Sequence, residues 1–247
     1  MVYREVLSVK IKKHYLPVFL LCVIVSVGLI VIAFLGSRTV TVISENSPVL
    51  NRRCIVIDAG HGGVDGGAVS CTGVPESQIN LQIALILEDL CHLLGLKTEM
   101  IRSSDCSIYT EGGSIAAKKI SDLKERVRII NKTENAILVS IHQNKFVQSR
   151  YSGAQVFYAP TKDSIILAEA IQNTYTQYLN ATSNRKVKRA DGVYLMQNIT
   201  CPGVLVECGF LSNPEEEALL RDRIYQQKMC CVIASACSSF VSAKPTA

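Results

Sequence analysis

The sequence contains no tryptophan, and aromatic residues make up only 6% of its 247 residues. A surface of stacked aromatic rings for single-stranded nucleic acids or long sugar chains is therefore not expected. Charged residues are also scarce, at 19%, whereas 48% of the residues are hydrophobic. This composition excludes a disordered chain and predicts a folded body with a large core.

The small excess of positive charge is concentrated at the amino terminus. Four cations and one anion in the first fifteen residues account for +3 of the formal net charge of +5. These residues are Arg4, Lys10, Lys12 and Lys13, against Glu5. Because the rest of the chain is nearly neutral, we expect no nucleic-acid partner bound through bulk charge.

The ten cysteines lack the spacing of a metal or redox motif. No C-x-x-C pair occurs, which excludes a zinc ribbon and a thioredoxin-like site. Most of the cysteines fall within apolar strand or helix patterns, where a free cysteine behaves as a small hydrophobic residue. We expect this group to be reduced and buried in the core: Cys54, Cys91, Cys208, Cys230, Cys231 and Cys237.

A long uncharged segment lies near the amino terminus. Leu16–Leu35 contains no charged residue, enough for a helix of about 30 Å that crosses the hydrocarbon core of a bilayer. Four cations precede this segment and only Arg38 follows closely, which predicts a cytoplasmic amino terminus. A cleaved signal peptide is the alternative, but it normally has a shorter apolar region and an A-x-A cleavage site. We predict a cytoplasmic tail over residues 1–15, a transmembrane anchor over 16–36 and an extracytoplasmic remainder.

The remainder alternates apolar β-rich runs with helical patterns. After a polar linker over residues 37–53, residues 54–243 are predicted to form a single α/β domain. Strands are predicted over residues 54–58, 96–101, 136–141, 154–158, 193–196 and 203–206, and helices over 77–94, 114–131, 162–180 and 215–240, the last broken near Asp222. The basic run 185–189 is predicted to be a surface loop. We expect a mixed, mostly parallel sheet of about six strands with helices on both faces.

Two histidines stand where predicted strands end, the place at which open α/β sheets bind ligands. His61 lies in the glycine-rich segment 58–67, which departs from the dinucleotide-binding pattern G-x-G-x-x-G because Asp65 replaces the third glycine. His142 ends the third predicted strand. One such histidine alone is more often a structural hydrogen-bonding residue, but two in equivalent positions favour a metal site.

Two glutamates extend this candidate site. Glu76 begins the first predicted helix, where its carboxylate can point back toward His61 as a third ligand; a helix N-terminal charge is the simpler interpretation. Glu207 ends a predicted buried strand, and a carboxylate there is costly unless it is paired or catalytic. Asn144 and Arg102, which follow other predicted strands, are additional candidates for contacts with a substrate.

Five short motifs together resemble the zinc-dependent N-acetylmuramoyl-L-alanine amidases of the amidase-3 family. They are DAGHGG at 58–63, E-x-x-x-N at 76–80, R-x-x-I-x-N at 126–131, SIHQN at 140–144 and VECGFLSN at 206–213. Their order and spacing match this family from residue 54 to about residue 240. Within the family, the short anchored form is most similar to the sporulation-specific amidases of the spore cortex.

The resemblance implies one zinc ion per chain, held by His61, Glu76 and His142, with Glu207 as the catalytic glutamate. The implied reaction is hydrolysis of the amide bond between the lactyl group of muramic acid and L-alanine of the peptidoglycan stem peptide. Two alternatives stay open: another zinc peptidoglycan hydrolase, such as a carboxypeptidase, and a wall-binding domain that no longer cuts.

The resemblance and the predicted anchor together suggest where the chain acts. We expect a membrane-anchored enzyme with its catalytic domain outside the cytoplasm. In a sporulating cell this is the intermembrane space around the forespore, where muramic lactam is made during cortex maturation. The expected partners are peptidoglycan and the membrane, and the resemblance leaves room for an accessory activator protein.

Overall fold

The computed structural model describes residues 53–179 and 184–243. The predicted cytoplasmic tail, the transmembrane anchor and nearly all of the linker lie outside these residues. Within the described part of the chain, no helix combines the length and apolar character needed to cross a membrane.

One mixed sheet forms the centre of the domain. In the described residues its six strands are β1 (Cys54–Ala59), β2 (Lys97–Met100), β3 (Ala136–Asn144), β4 (Gln155–Tyr158), β5 (Lys188–Arg189) and β6 (Gly203–Phe210), in the order β2-β1-β3-β6-β4-β5. Strands β2, β1, β3 and β6 are parallel, β4 is antiparallel to β6, and β5 is parallel to β4. The prediction of a mixed, mostly parallel sheet is confirmed.

Helices cover both faces of this sheet, as predicted. They are α1 (Glu76–Leu93), α2 (Ile115–Lys132), α3 (Ser164–Tyr178), α4 (Tyr194–Asn198), α5 (Pro214–Arg221) and α6 (Arg223–Ser242). Alternate side chains of β1, β3 and β6 pack in two clusters, one beneath α1, α3 and α6 and the other beneath α2 and α4. The predicted helix break is confirmed at Asp222, whose side chain accepts a hydrogen bond from the Tyr225 amide at the start of α6.

Two neighbouring predictions along the chain are wrong. Residues 193–196 were expected to be a strand, but residues from Tyr194 onward form the short helix α4, with Leu195 and Met196 packed against the sheet. The structure has instead a two-residue strand, β5 (Lys188–Arg189), within the basic run 185–189 that was predicted to be a loop. Short apolar segments do not distinguish a strand from a buried helix, and an exposed two-residue edge strand has no apolar pattern.

Strands β3 and β6 continue beyond their predicted ends. His142 and Glu207 therefore pair with each other inside the ladder and do not end their strands. The register then shifts, so that two steps along β3, to Asn144, match three steps along β6, to Phe210. Such a β-bulge returns Phe210 to the face of the sheet on which Glu207 lies.

The cysteines of the described domain are free thiols. Five of the six expected in the core are buried there: Cys54, Cys91, Cys208, Cys230 and Cys237. The prediction is wrong for Cys231, which lies on the exposed side of α6. The apolar sequence of this helix therefore includes residues that do not belong to its buried face.

Candidate active site

The glycine-rich loop after β1 wraps closely around the predicted metal ligands. A Cβ atom on Gly60 would collide with the imidazole of His142. A Cβ atom on Gly67 would lie 2.7 Å from Glu76 Oε2 and 2.7 Å from His61 Cδ2, and Gly67 also has a left-handed φ of 71°. Glycine at these positions therefore leaves the space that the three polar side chains fill.

The structure brings His61, Glu76 and His142 together at the carboxyl edge of the sheet. Each residue offers one ligand atom, and all three atoms lie within 4.8 Å of one another. The Glu76 carboxylate lies between the imidazoles, with Oε2 at 3.4 Å from His61 Nε2 and Oε1 at 3.0 Å from His142 Nδ1. This is the convergence expected for a shared metal ion.

Glu76 is held in its anionic form. Burial alone would raise its pKa, but the hydrogen bonds and charges of His142 and His61 outweigh burial and lower the pKa far below its usual range. Two main-chain amides also donate to the carboxylate, from Ala68 at 3.0 Å and from Gln143 at 3.1 Å. The carboxylate is thus fixed in charge and orientation, as a metal ligand must be.

Asp65 fixes the orientation of the His61 ring. Its Oδ2 atom lies 2.9 Å from His61 Nδ1 and 3.1 Å from Lys119 Nζ. The contact occupies Nδ1 and leaves Nε2 directed at Glu76. Metal-binding histidines commonly have such a carboxylate partner. This role of Asp65 was not predicted from the sequence, although its position four residues after His61 could have indicated the contact.

A buried ion pair lies beneath the histidine loop. The Arg126 guanidinium contacts the Asp58 carboxylate and donates to the carbonyl oxygens of Ala59 at 3.1 Å and His61 at 2.7 Å. Burial alone would raise the pKa of Asp58, but Arg126 and a 2.6 Å hydrogen bond from Ser140 lower it below its usual value. The pair holds the backbone of His61, which has a left-handed φ of 61°.

Glu207 lies between two strands at this edge, with His142 beside it on β3 and Gln155 beside it on β4. Its Oε2 atom is buried and has no hydrogen-bond partner within residues 53–179 and 184–243. Burial raises the pKa of Glu207 to about 7. A carboxyl group in this state can accept and return a proton near neutral pH.

The two further substrate-binding candidates have different surroundings. Arg102 is only 3% exposed, and its guanidinium donates to the carbonyl oxygens of Ala59, Gly60 and Ser77. It therefore supports the loop, and the predicted contact with a substrate is not supported. Asn144 is half-buried at the end of β3, on the same face as His142, and its role in binding stays a prediction.

A cavity opens beside the two histidines on the α2 and α4 side of the sheet. Apolar side chains of Leu123, Val193 and Leu195 form much of its wall, and Lys119 lines it as well. The imidazoles of His61 and His142 are thus reached from this side of the carboxyl edge, where open α/β sheets bind their ligands.

The donor set fits a metal ion. Two imidazoles and one carboxylate form a common ligand set of catalytic zinc sites, which keep a further position open. The orphaned oxygen of Glu207 adds a buried proton acceptor beside this set. These groups, brought together at the carboxyl edge of an α/β sheet, are the arrangement that a metal-dependent hydrolase requires.

Comparison with known proteins identifies the family of this hydrolase. The family model described as N-acetylmuramoyl-L-alanine amidase (Amidase_3) matches residues 55–239. The chain therefore belongs to this family, in agreement with its motifs, and is an N-acetylmuramoyl-L-alanine amidase.

Relatives and solved structures agree with this family. The chain is 40% identical to the germination-specific N-acetylmuramoyl-L-alanine amidase of Bacillus subtilis, over 73% of this chain and 76% of that protein. It is 39% identical to the CwlD amidase from Clostridioides difficile, solved in complex with the GerS lipoprotein, with a TM-score of 0.74 over 78% of this chain and all of that one. A second amidase, from Clostridium difficile 630, is 28% identical, with a TM-score of 0.68 over 78% of this chain and 99% of that one.

Proposed function

We propose that the chain hydrolyses the amide bond between the lactyl group of muramic acid and L-alanine of the peptidoglycan stem peptide, with zinc held by His61, Glu76 and His142. The convergence of these three residues beside Glu207, whose Oε2 atom has no partner among the residues that the structure describes, carries the proposal. When bound, zinc lowers the pKa of a water toward about 7 and polarises a carbonyl group.

The chain's own residues then have distinct roles. Glu207 accepts a proton from the attacking water and returns it to the leaving amine of L-alanine. Asp65 orients the ring of His61, and Arg126 holds its backbone. Residues 54–243 form the catalytic domain in this proposal.

The biological role that we propose is maturation of the spore cortex. The Bacillus subtilis relative is named germination-specific, and the CwlD amidase was solved with a lipoprotein bound. By analogy with that complex, an accessory protein is a proposed partner of this chain. The uncharged segment 16–36 is proposed to anchor the enzyme, with the amino terminus in the cytoplasm and the catalytic domain outside.

The metal assignment can be tested by zinc content. We expect about one zinc ion per wild-type chain, and loss of bound zinc in His61→Ala, Glu76→Ala and His142→Ala, because each variant removes a ligand. His92→Ala is the matched control, since His92 lies in α1 and contacts Thr98 rather than the site. Full activity in a wild-type preparation without bound metal would contradict the zinc assignment.

The reaction can be tested by mass spectrometry of digested peptidoglycan. An amidase releases peptides that begin with L-alanine, whereas a carboxypeptidase removes only the terminal residue of the stem. The digestion should be repeated with cell extract, which supplies any activator. If no peptide beginning with L-alanine appears in either digestion, the proposed reaction is wrong.

The proposed topology has a separate test. A reporter fused after Arg53 should be extracytoplasmic, and one at the amino terminus should be cytoplasmic, because the positive charges precede the uncharged segment. The reverse orientation would contradict both the anchor and the access to peptidoglycan.

A further inference from the structure

Three aromatic side chains form a stack beside the active site. The ring of Phe146 meets that of Tyr151 edge to face, with centroids 4.9 Å apart, and Tyr151 meets Phe210 at 6.2 Å. Phe210 is only 5% exposed at the base, whereas Phe146 is 50% exposed at the top. We call these three residues the aromatic stack. In a chain with so few aromatic residues, their grouping at one place requires an explanation.

The chain topology places the aromatic stack next to Glu207. Strands β3 and β4 both pair with β6, on opposite sides of it. The loop of residues 145–154 that joins them must therefore pass the carboxyl end of β6, beyond Glu207. Phe146 and Tyr151 belong to this loop, and Phe210 is the last residue of β6.

The bulge in β6 gives the aromatic stack its direction. Phe210 is three residues beyond Glu207, so in a regular strand it would face the opposite side of the sheet. The register shift pairs Phe210 with Asn144, which lies on the same face as His142. The base of the stack is thus on the same face of the sheet as His142 and Glu207.

Polar contacts hold the loop in a defined position. The Phe146 amide donates to Ser212 Oγ at 3.1 Å, and the Gly153 amide donates to Glu216 Oε1 at 2.7 Å. Asn213 Nδ2 donates to the Tyr151 carbonyl at 3.3 Å. These bonds join the loop to the turn and helix that follow β6. A surface ordered in advance binds with a smaller entropic cost than one that must be ordered by its ligand.

Two guanidinium groups accompany the rings. Arg150 lies 5.4 Å from the centroid of Tyr151, and Arg185 lies 4.8 Å from that of Phe210. Arg185 also donates to the Ser152 carbonyl at 2.9 Å and to Gln155 Oε1 at 3.2 Å, which connects the stack to the neighbour of Glu207. An apolar ring with N–H donors at its margin suits a ligand that has an apolar face and polar substituents.

We propose that the aromatic stack is a subsite for an N-acetylated sugar ring of the glycan strand, next to the muramic acid whose amide bond is cut. Phe146, the exposed ring, packs against the apolar face of the sugar, Tyr151 supports Phe146 from the side of Phe210, and Arg150 reaches the polar substituents of the sugar. The inference rests on the proposed function, because a glycan strand continues on either side of the muramic acid held at Glu207. It also revises the expectation from composition that sugars are bound without aromatic rings.

A tryptophan probe tests the subsite directly. The natural chain has no tryptophan, so the fluorescence of Phe146→Trp reports on this position alone. We expect a saturable change in its emission on titration with a peptide-free tetrasaccharide of alternating N-acetylglucosamine and N-acetylmuramic acid. Leu93→Trp is the control. Leu93 is 80% exposed and is the last residue of α1, which leads into the edge strand β2. No change in Phe146→Trp, or an equal change in both variants, would overturn the proposal.

Kinetics with two substrates give an independent test. Phe146→Ala should raise KM about 2- to 10-fold for a tetrasaccharide that bears stem peptides, as expected for loss of an aromatic contact. It should leave KM unchanged for a muramoyl peptide with one sugar, and Phe146→Tyr should behave as wild type. Leu93→Ala should leave KM unchanged for both substrates. Thermal unfolding should show that all variants are folded.

The outcomes distinguish the subsite from the reaction. An equal loss on both substrates would indicate a role in packing or in peptide binding and would overturn the sugar subsite. If the wild type cleaves neither substrate, even with cell extract added to supply any activator, the proposed function fails, and the tryptophan titration with the peptide-free glycan still decides whether the sugar subsite exists.

Discussion

Two carboxylates lie on the same face of the sheet in surroundings of opposite character: Asp58 is fully buried, and Glu207 is half-buried with its Oε2 atom enclosed. The charge of Asp58 is compensated: Arg126 pairs with the carboxylate and Ser140 donates to it, so that its pKa is lowered. Around Glu207, one carboxylate oxygen has no hydrogen-bond partner in the described part of the chain, and burial raises the pKa to about 7. Burial alone therefore does not determine what a carboxylate does.

The difference separates support from chemistry. Asp58 cannot take up a proton near neutral pH without breaking its pair, so it keeps Arg126 in place, and Arg126 holds the backbone of the loop that bears His61. Glu207 is suited to exchange a proton, because one of its carboxylate oxygens has no hydrogen-bond partner among the described residues. The partners of each carboxylate, more than its depth of burial, determine these two roles.

The largest expected effect is on the rate, in Glu207→Gln. This change keeps the size of the side chain and removes the proton acceptor, so turnover should fall about 10²- to 10⁴-fold. Zinc content and thermal stability should stay at the wild-type level, since Glu207 is not among the three converging ligands. Wild-type turnover in this variant, measured on muropeptides, would remove the contrast with Asp58.

The next effect is on stability, in Arg126→Leu. The substitution leaves Asp58 buried without its partner, which should cost about 3–5 kcal/mol in the free energy of unfolding. The control is Arg128→Leu on the same helix, where an exposed pair with Glu125 is lost and stability should hardly change. Denaturation with urea measures both. Equal stability of the two variants would show that the buried pair has no supporting role.

A smaller effect is expected for Asp65→Asn, which tests a third carboxylate of the site. The variant weakens the contact that orients His61, and zinc affinity should fall about 10- to 100-fold. Competition with a chromophoric chelator measures the affinity without relying on activity. Unchanged affinity would mean that the loop alone positions the ring.

The smallest effect concerns acid stability. Because the pKa of Asp58 is lower in the folded state than its usual 3.8, its contribution to stability is present above that value and is lost as the pH falls below it. In Asp58→Asn this part of the pH dependence should disappear, while other carboxylates continue to contribute. Urea denaturation at a series of pH values compares the slopes, and identical slopes would show that Asp58 does not titrate differently on folding.

The convergence of the predicted metal ligands was accessible from the sequence for a topological reason. His61 and His142 follow or end apolar runs, and Glu76 opens a helix, so a parallel sheet brings all three to one edge. The central strands β1, β3 and β6 were recognisable by their continuous apolar character. Their ends were not, because the ladder continues through His142 and Glu207 after the apolar pattern has stopped.

The aromatic stack could not be predicted in the same way. Phe146 and Tyr151 lie in a loop with no repeating pattern, and Phe210 joins them only because the register of β6 shifts. A composition of 6% aromatic residues describes an average over the chain and is silent about local grouping. The role of Arg126 was missed for a related reason, since its partners, Asp58 and the main chain of the histidine loop, are distant in sequence.

The bulge at Cys208 and Gly209 also separates two parts of β6 that would otherwise be constrained together. In a regular strand, adding or removing one residue turns every later side chain to the other face of the sheet, whereas a change of two residues leaves them on the same face. Deletion of Gly209, by contrast, would remove the bulge, restore a regular ladder and leave Phe210 on its present face, paired with Asn144. The bulge thus absorbs one residue of length between Glu207 and the aromatic stack without inverting the side chains on either side of it.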